Sequence, residues 1–140
     1  MTDYPDAPLI DNLRTNIAAL PAPAPGNIVA EPYLWGNVLP ESLAPADGFD
    51  LVILSDLLFN HSEHAKLLRT VVQTLRHARD ARALIFFTPH RPWLLEKDLA
   101  FLTLLDEAGL SVDKVAEEVL ENPMFEEDKG VCIFLVSCLC

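Results

Sequence analysis

The feature that most limits the fold of this sequence is an almost unbroken apolar run at residues 49–54, FDLVIL. A run of this length is typical of a strand that is buried on both faces of a sheet. A second run of the same kind extends from Ala83 to Thr88 and ends at Pro89. Strands of this type need helices packed against them, so the sequence predicts an α/β fold.

Three segments have apolar residues at helical spacing: Pro5–Leu20, Ser62–Arg79 and Leu94–Ala108. The second is the clearest, and Gly109 is placed to end the third. A short strand at Ile28–Ala30, which runs into a loop at Pro32, is predicted within Asn27–Trp35, after a proline-rich connector that cannot be helical. Helices and apolar strands in alternation indicate one domain, residues 1–140, with a parallel sheet and helices on both of its faces.

The C-terminal part of the chain is less clearly patterned. Leu110–Val119 fits either a strand or a helix, and a strand is favoured at its start. Val131–Cys140 is apolar and rich enough in β-branched residues for a final strand, but the pattern does not reveal its register.

Composition limits the function. The 140 residues are 51% apolar, which excludes a disordered chain. The formal charge of −11 disfavours binding to nucleic acid or to a membrane surface. This charge is explained by solubility, or alternatively by steering of a basic partner.

Cysteine use and the N-terminal sequence indicate a cellular location. Cys132, Cys138 and Cys140 fit neither a paired disulfide framework nor a metal site, and free thiols suggest a reducing compartment. The start, MTDYPDAP, lacks the basic and apolar regions of a secretion signal, and no apolar run is long enough to span a bilayer. We therefore expect a cytoplasmic protein without a metal site.

Polar and aromatic residues follow each predicted strand, where a parallel sheet of this class places its ligands. Ser55 and Asp56 follow the strand at 49–54, and the segment TPHRPW, residues 88–93, follows the next. Asp56 lies too far from the helix start at Ser62 to cap it. At the carboxyl edge of the sheet it would accept hydrogen bonds from a ligand amine. The residues expected at this edge are Asp3, Asp6, Trp35, Ser55, Asp56 and 88–93.

Most of these residues also have a purely structural interpretation. Asp3 or Asp6 fits a helix cap, and Trp35 fits an apolar cover for the end of the sheet. Asn60 with Glu63 resembles a capping box for the long helix. For Asn60, capping and a functional role explain the sequence equally well. Two further sets are expected to carry no chemistry: His61 and His64 as solvated histidines, and the three cysteines as buried apolar residues.

Five segments together resemble a known family: TDYPD, YLWGN, FDLVILSDLLFNHSEH, FFTPHRPWLLEKDL and MFEED. They are similar to the fungal elongation factor 1-alpha methyltransferases, formerly described as nicotinamide N-methyltransferase-like. The resemblance extends from Thr2 to about Asp128. It implies a Rossmann-like, seven-strand methyltransferase sheet, S-adenosylmethionine as cofactor, and methylation of the elongation factor at its α-amine and a nearby lysine.

The resemblance also implies roles for individual residues. Asp3 matches the acidic residue that holds the ribose hydroxyls of the cofactor, Trp35 packs beside the adenine, and Ser55 lines the cofactor pocket. Asp56 begins the motif DLLF, where related enzymes have Asp-x-x-Tyr and position the acceptor amine. Because the tyrosine position is Phe59 here, any hydroxyl role there is left to Asn60 or to no residue.

The sequence departs from the family at both ends. The family's first strand and glycine-rich loop would precede Asp3, and the five glycines of this chain form no GxG motif. The C-terminal KGVCIFLVSCLC is apolar where the family is charged. These departures lead us to expect a truncated chain that lacks the first strand and most of the second, with weak or absent cofactor binding.

Two alternatives to the protein methyltransferase function stay open at this point. In the first alternative, the chain is a non-catalytic fragment that is either unstable or serves as an interaction module through an exposed sheet edge. Alternatively, it methylates a small amine such as nicotinamide, because a carboxylate at the cleft edge serves a small amine as well as a protein one. The oligomeric state is not determined by the sequence.

Overall fold

The computed structural model describes residues 1–21, 26–119 and 130–138. These residues form three helices and six strands. In chain order they are β1 (Thr2–Asp3), α1 (Ala7–Ala18), β2 (Glu31–Pro32), β3 (Leu51–Ser55), α2 (His64–Thr74), β4 (Arg82–Phe87), α3 (Leu95–Glu107), β5 (Leu110–Glu118) and β6 (Val131–Cys138). Short 3-10 turns at His61–Glu63 and Pro92–Leu94 lead into α2 and α3.

The strands form two sheets. β1 and β2 pair in parallel, and the larger sheet has the order β3-β4-β6-β5. β3 is parallel to β4, whereas β6 is antiparallel to both of its neighbours. The larger sheet is therefore mixed and not wholly parallel, because the final strand, whose register the sequence did not reveal, inserts between β4 and β5.

The core lies on one face of the larger sheet. Ala83, Ile85 and Phe87 of β4 point to this face, and the paired register places Phe134 and Val136 of β6 beside them. Both α2 and α3 pack on it through the buried residues Leu67, Val71, Phe101 and Leu105. A buried side chain of this size contributes about 1.5–3 kcal/mol. On the opposite face of β3, Leu51 and Ile53 are 49% and 58% exposed, so the prediction that this strand is buried on both faces is wrong.

The predicted helix Ser62–Arg79 is longer than α2 at both ends. The helix ends at Thr74 because Leu75 takes an extended conformation and forms an isolated parallel bridge with Phe49. The Phe49 N–H donates to the Thr74 carbonyl at 2.7 Å, and its carbonyl accepts from the Arg76 N–H at 2.9 Å. These two bonds attach the start of the β3 segment to the end of α2.

The strand predicted within Asn27–Trp35 is mostly irregular. Only Glu31–Pro32 pairs, because its partner β1 is two residues long. By contrast, the ambiguous segment after Gly109 is a strand from Leu110 to Glu118, and Gly109 ends α3 with a φ of +80°.

The remaining expectations concern the cysteines and the membrane. Cys132 and Cys138 are half-buried and pack against the core, which agrees only in part with the expectation of buried apolar residues. Cys140 and the MFEED segment lie outside the described residues. Across the described ranges, none of the helices has the length and apolar content needed to cross a bilayer.

Two glycines with nearly the same backbone conformation allow a matched test of the attachment between the β3 segment and α2. Gly48 and Gly109 have φ values of +82° and +80°. A Cβ at Gly48 would lie 2.8 Å from the Arg76 backbone, whereas a Cβ at Gly109 has no atom within 4 Å. We expect Gly109→Ala to cost about 1–2 kcal/mol of unfolding free energy from backbone strain alone. Gly48→Ala should cost about 1–3 kcal/mol more, from overpacking. Urea unfolding measures the free energy of unfolding of both variants. Equal losses in the two variants would contradict the close approach of Gly48 to the Arg76 backbone.

Candidate active site

Asp56 directly follows β3 and has a strained backbone. Its φ is +55°, and it is the one non-glycine residue with a positive φ among those the structure describes. Its N–H donates to the Phe86 carbonyl at 2.8 Å, so the residue is still attached to β4. Aspartate tolerates the left-handed region better than most residues, but the conformation still costs about 1–3 kcal/mol. Strain of this kind concentrates at functional sites.

The Asp56 carboxylate is held by the segment that follows β4. Its Oδ2 lies 2.7 Å from Nε2 of His90, and its Oδ1 accepts from the Thr88 N–H at 3.2 Å. An ionised carboxylate has no proton to give, so Nε2 of His90 donates in this pair. The side chains of Asp56 and His90 are 42% and 37% exposed, which leaves the pair accessible. Sequence reasoning marked the segment 88–93 as a whole but did not single out His90.

The segments after β3 and β4 are joined at two further points. Nη2 of Arg91 donates to the Phe59 carbonyl at 2.9 Å. Nε2 of His61 lies 2.5 Å from Oδ1 of Asp98, which is on α3. Contacts along both segments therefore fix the residues that follow Asp56.

The interpretation of His61 and His64 as solvated side chains is wrong. His61 is paired with Asp98, and His64 is buried, with its Nε2 2.8 Å from the Leu58 carbonyl. In the part of the chain that the structure describes, no group of three or more His, Cys, Asp or Glu residues is arranged to hold a metal ion.

The capping box predicted for Asn60 and Glu63 is also wrong. Asn60 precedes the 3-10 turn, but its side chain makes no capping hydrogen bond and instead accepts from Oγ of Ser62 at 3.1 Å. The Glu63 carboxylate binds Nζ of Lys66 at 2.8 Å. The capping explanation for these two residues is thus removed, and the functional role of Asn60 stays a prediction.

Asp3 and Ser55, both predicted to bind the cofactor, are exposed at the ends of β1 and β3. One oxygen of Asp3 accepts from the Tyr4 N–H at 2.7 Å, and the other has no hydrogen bond described. An exposed carboxylate and hydroxyl have the chemistry needed to bind the sugar and other polar groups of a nucleoside cofactor. Asp6 occupies the N-cap position of α1 but makes no capping bond through its side chain.

Trp35 is half-buried and packs against the core, which agrees with its structural interpretation. The next residue, Gly36, is attached to α2 by a hydrogen bond from its N–H to Oγ1 of Thr70 at 2.9 Å. No hydrogen bond among the described residues joins Asp3 or Trp35 to Asp56. The structure therefore groups Asp56, Ser55 and His90 on one edge, and Trp35 packs against the core next to Gly36, which is bonded to α2.

Shifted pKa values occur in an ion-pair cluster at the opposite, amino ends of β3 and β4. Nη2 of Arg76 lies 3.0 Å from Asp80, and its Nε lies 2.6 Å from Asp50. The hydrogen bond from Arg76 lowers the pKa of Asp80, and the bonds to Asp80 and Asp50 raise the pKa of Arg76. Because the pKa of Asp80 is depressed, its contribution to stability is present at neutral pH and is lost as the pH falls through that lowered value.

The fold is shared with a solved structure. The structure of LepI in complex with SAM has a TM-score of 0.57 and 15% identity, and it covers 98% of this chain and 35% of that one. The architecture is therefore of the Rossmann-like α/β class found in that S-adenosylmethionine complex, which confirms the fold class predicted from the sequence.

A family model described as lysine methyltransferase matches residues 1–108. The chain belongs to this family. Similar relatives, each named protein N-terminal and lysine N-methyltransferase EFM7, occur in Eremothecium gossypii (48% identity, covering 92% of this chain and 51% of the relative) and Schizosaccharomyces pombe (41% identity, 92% and 52%). The Emericella nidulans protein of that name is 40% identical, covering 93% of this chain and 54% of its own length. The resemblance found in the sequence is confirmed, and the chain spans about half the length of these curated relatives.

The strain at Asp56 can be tested by two substitutions that both remove the charge. Asparagine tolerates a positive φ, whereas a β-branched residue does not. We expect Asp56→Val to lower the unfolding free energy by about 1–3 kcal/mol more than Asp56→Asn. Urea unfolding of both variants measures the difference. Equal destabilisation would show that the left-handed conformation at Asp56 is not maintained in solution.

Proposed function

We propose that the protein with this chain transfers a methyl group from S-adenosylmethionine to an amine of a protein. The proposed substrate is the N-terminal region of translation elongation factor 1-alpha, at its α-amine and a nearby lysine. The observation that carries the proposal is the carboxylate of Asp56, which is held in a strained conformation at the end of β3 by His90 and Thr88. The names of the relatives support a protein substrate over a small amine.

Asp56 can bind an amine without releasing its own partners. A carboxylate accepts about four hydrogen bonds, and the described contacts of Asp56 use one on each oxygen. Amine N–H groups can therefore bind to the remaining lone pairs. Because His90 and Thr88 fix both oxygens in advance, the amine meets an oriented acceptor, and little reorganisation is needed during the reaction.

When bound, S-adenosylmethionine supplies an electrophilic methyl group on a sulfonium. Asp3 is proposed to accept hydrogen bonds from its ribose hydroxyls, with Trp35 beside the adenine and Ser55 in the pocket wall. Asp56 would orient the neutral acceptor amine and stabilise the positive charge that develops on nitrogen. Asn60 is proposed as a second polar contact to the amine.

Exposed aromatic side chains on the segments that follow β3 and β4 suit a protein substrate. Phe59 and Trp93, on the two segments that the Arg91 bond joins, are 52% and 74% exposed. Aromatic faces attract ammonium groups and pack against aliphatic lysine stems. The chain's charge of −11 favours a basic acceptor segment. We propose that these two residues border the path of the acceptor segment.

Methyl transfer from labelled S-adenosylmethionine tests the proposed function. The native protein is supplied with three acceptors: a peptide of the elongation factor N-terminus, the same peptide acetylated at its α-amine, and nicotinamide. We expect labelling of the free peptide, weaker labelling of the acetylated one through lysine, and none of nicotinamide. Labelling of nicotinamide alone would contradict the proposal.

The role of Asp56 is tested in the same assay. Asp56→Asn should lower kcat/KM for the peptide by about 100-fold or more, since it removes the charge that stabilises the reacting nitrogen. Asp47→Asn makes the same chemical change at an exposed loop position and should leave the rate within about twofold. If Asp56→Asn leaves kcat/KM for the peptide unaltered, Asp56 is not part of the site.

A further inference from the structure

We propose that Asp98 is a positioning residue for the Asp56 site, acting through His61 on the segment that follows Asp56. The proposal rests on the proposed function only in taking Asp56 as the residue that binds the amine. Asp98 lies on α3, and its contact with His61 spans 37 positions of the chain.

The burial of Asp98 is unusual for a helical acid. It is 2% exposed and lies on the same helix face as the fully buried Phe101 and Leu105. An acid in the first turn of a helix gains from the helix dipole while remaining in solvent, as the neighbouring Glu96 does. The dipole therefore does not explain why Asp98 is buried, and a buried carboxylate needs a specific partner.

That partner is His61, whose Nε2 lies 2.5 Å from Oδ1 of Asp98. The His61 ring meets His64 edge-on, with centroids 5.6 Å apart, and the His64 ring lies 5.3 Å from Phe101. Nε2 of His64 lies 2.8 Å from the Leu58 carbonyl. A continuous set of contacts thus leads from Asp98 to Leu58, two residues after Asp56.

These contacts restrict the conformations open to Asp56. Leu58 is fixed through His64, and Phe59 is fixed through Arg91. Because β3 fixes the chain on the other side, Asp56 must make the turn between two anchored segments. A strained conformation persists only where its surroundings impose it, and the pair of the buried Asp98 with the half-buried His61 is part of these surroundings.

Native-state hydrogen exchange can separate positioning from general stability. The Asp56 N–H, bonded to Phe86, reports on the site, and the Ile85 N–H in the middle of β4 reports on the core. Asp98→Leu fits the apolar surroundings and leaves the half-buried His61 without its partner. We expect Asp56 exchange to become at least about tenfold faster relative to Ile85, as loss of a charged hydrogen bond implies. A purely structural role would change both amides together.

Two controls complete the experiment. Asp98→Asn keeps an acceptor for His61 and should retain the Asp56-to-Ile85 ratio within about threefold. Glu96→Leu makes the acid-to-leucine change on the exposed face of the same helix turn and should leave the ratio unaltered. Should Asp98→Leu fail to fold, the double variant Asp98→Leu, His61→Leu replaces the pair by apolar residues and gives the same comparison.

The exchange measurement needs neither cofactor nor acceptor, so its result stands even if no methyl transfer is found. An unaltered ratio in Asp98→Leu, or an equal change in Glu96→Leu, would overturn the positioning role.

Discussion

The parallel pairing of β3 with β4 is the interaction on which the candidate site depends. Ser55 lies opposite Phe86 in this register, so the residues that follow the two strands emerge side by side. Asp56 and His90 meet for this reason, although they are 34 positions apart in the chain. A slip of one residue would turn the buried Leu54 of β3 away from the core, so the packing that stabilises the core also maintains the geometry of the site.

The sequence predicted the parts of this arrangement that depend on local pattern. Apolar runs located β3 and β4, and the position of Asp56 at a strand end followed from them. The pattern did not reveal that Asp98 is buried, because an acid in the first turn of a helix normally faces solvent. Nor could it show the end of α2 at Thr74, since the helical spacing continues beyond the point where Phe49 attaches.

The polar network at this edge favours a defined geometry more than it favours stability. Asp56 is strained, and Asp98 and His64 occupy places where apolar residues would pack at no desolvation cost. Among the described residues, every buried side-chain nitrogen and oxygen has a hydrogen-bond partner. A fully satisfied network of this kind permits few alternative arrangements, which suits the proposed role of the site in holding two reacting groups in line.

The central position of β6 has a consequence for the biosynthesis of the chain. β4 and β5 do not pair with each other. Each of them pairs with β6, residues 131–138, which lies between them. On the ribosome, the edge of β4 and the whole inner side of β5 are therefore exposed while the intervening residues are being made. Nascent chains with open strand edges are prone to aggregate, so the yield of folded protein should depend on how quickly this last strand emerges or on chaperones that shield its neighbours.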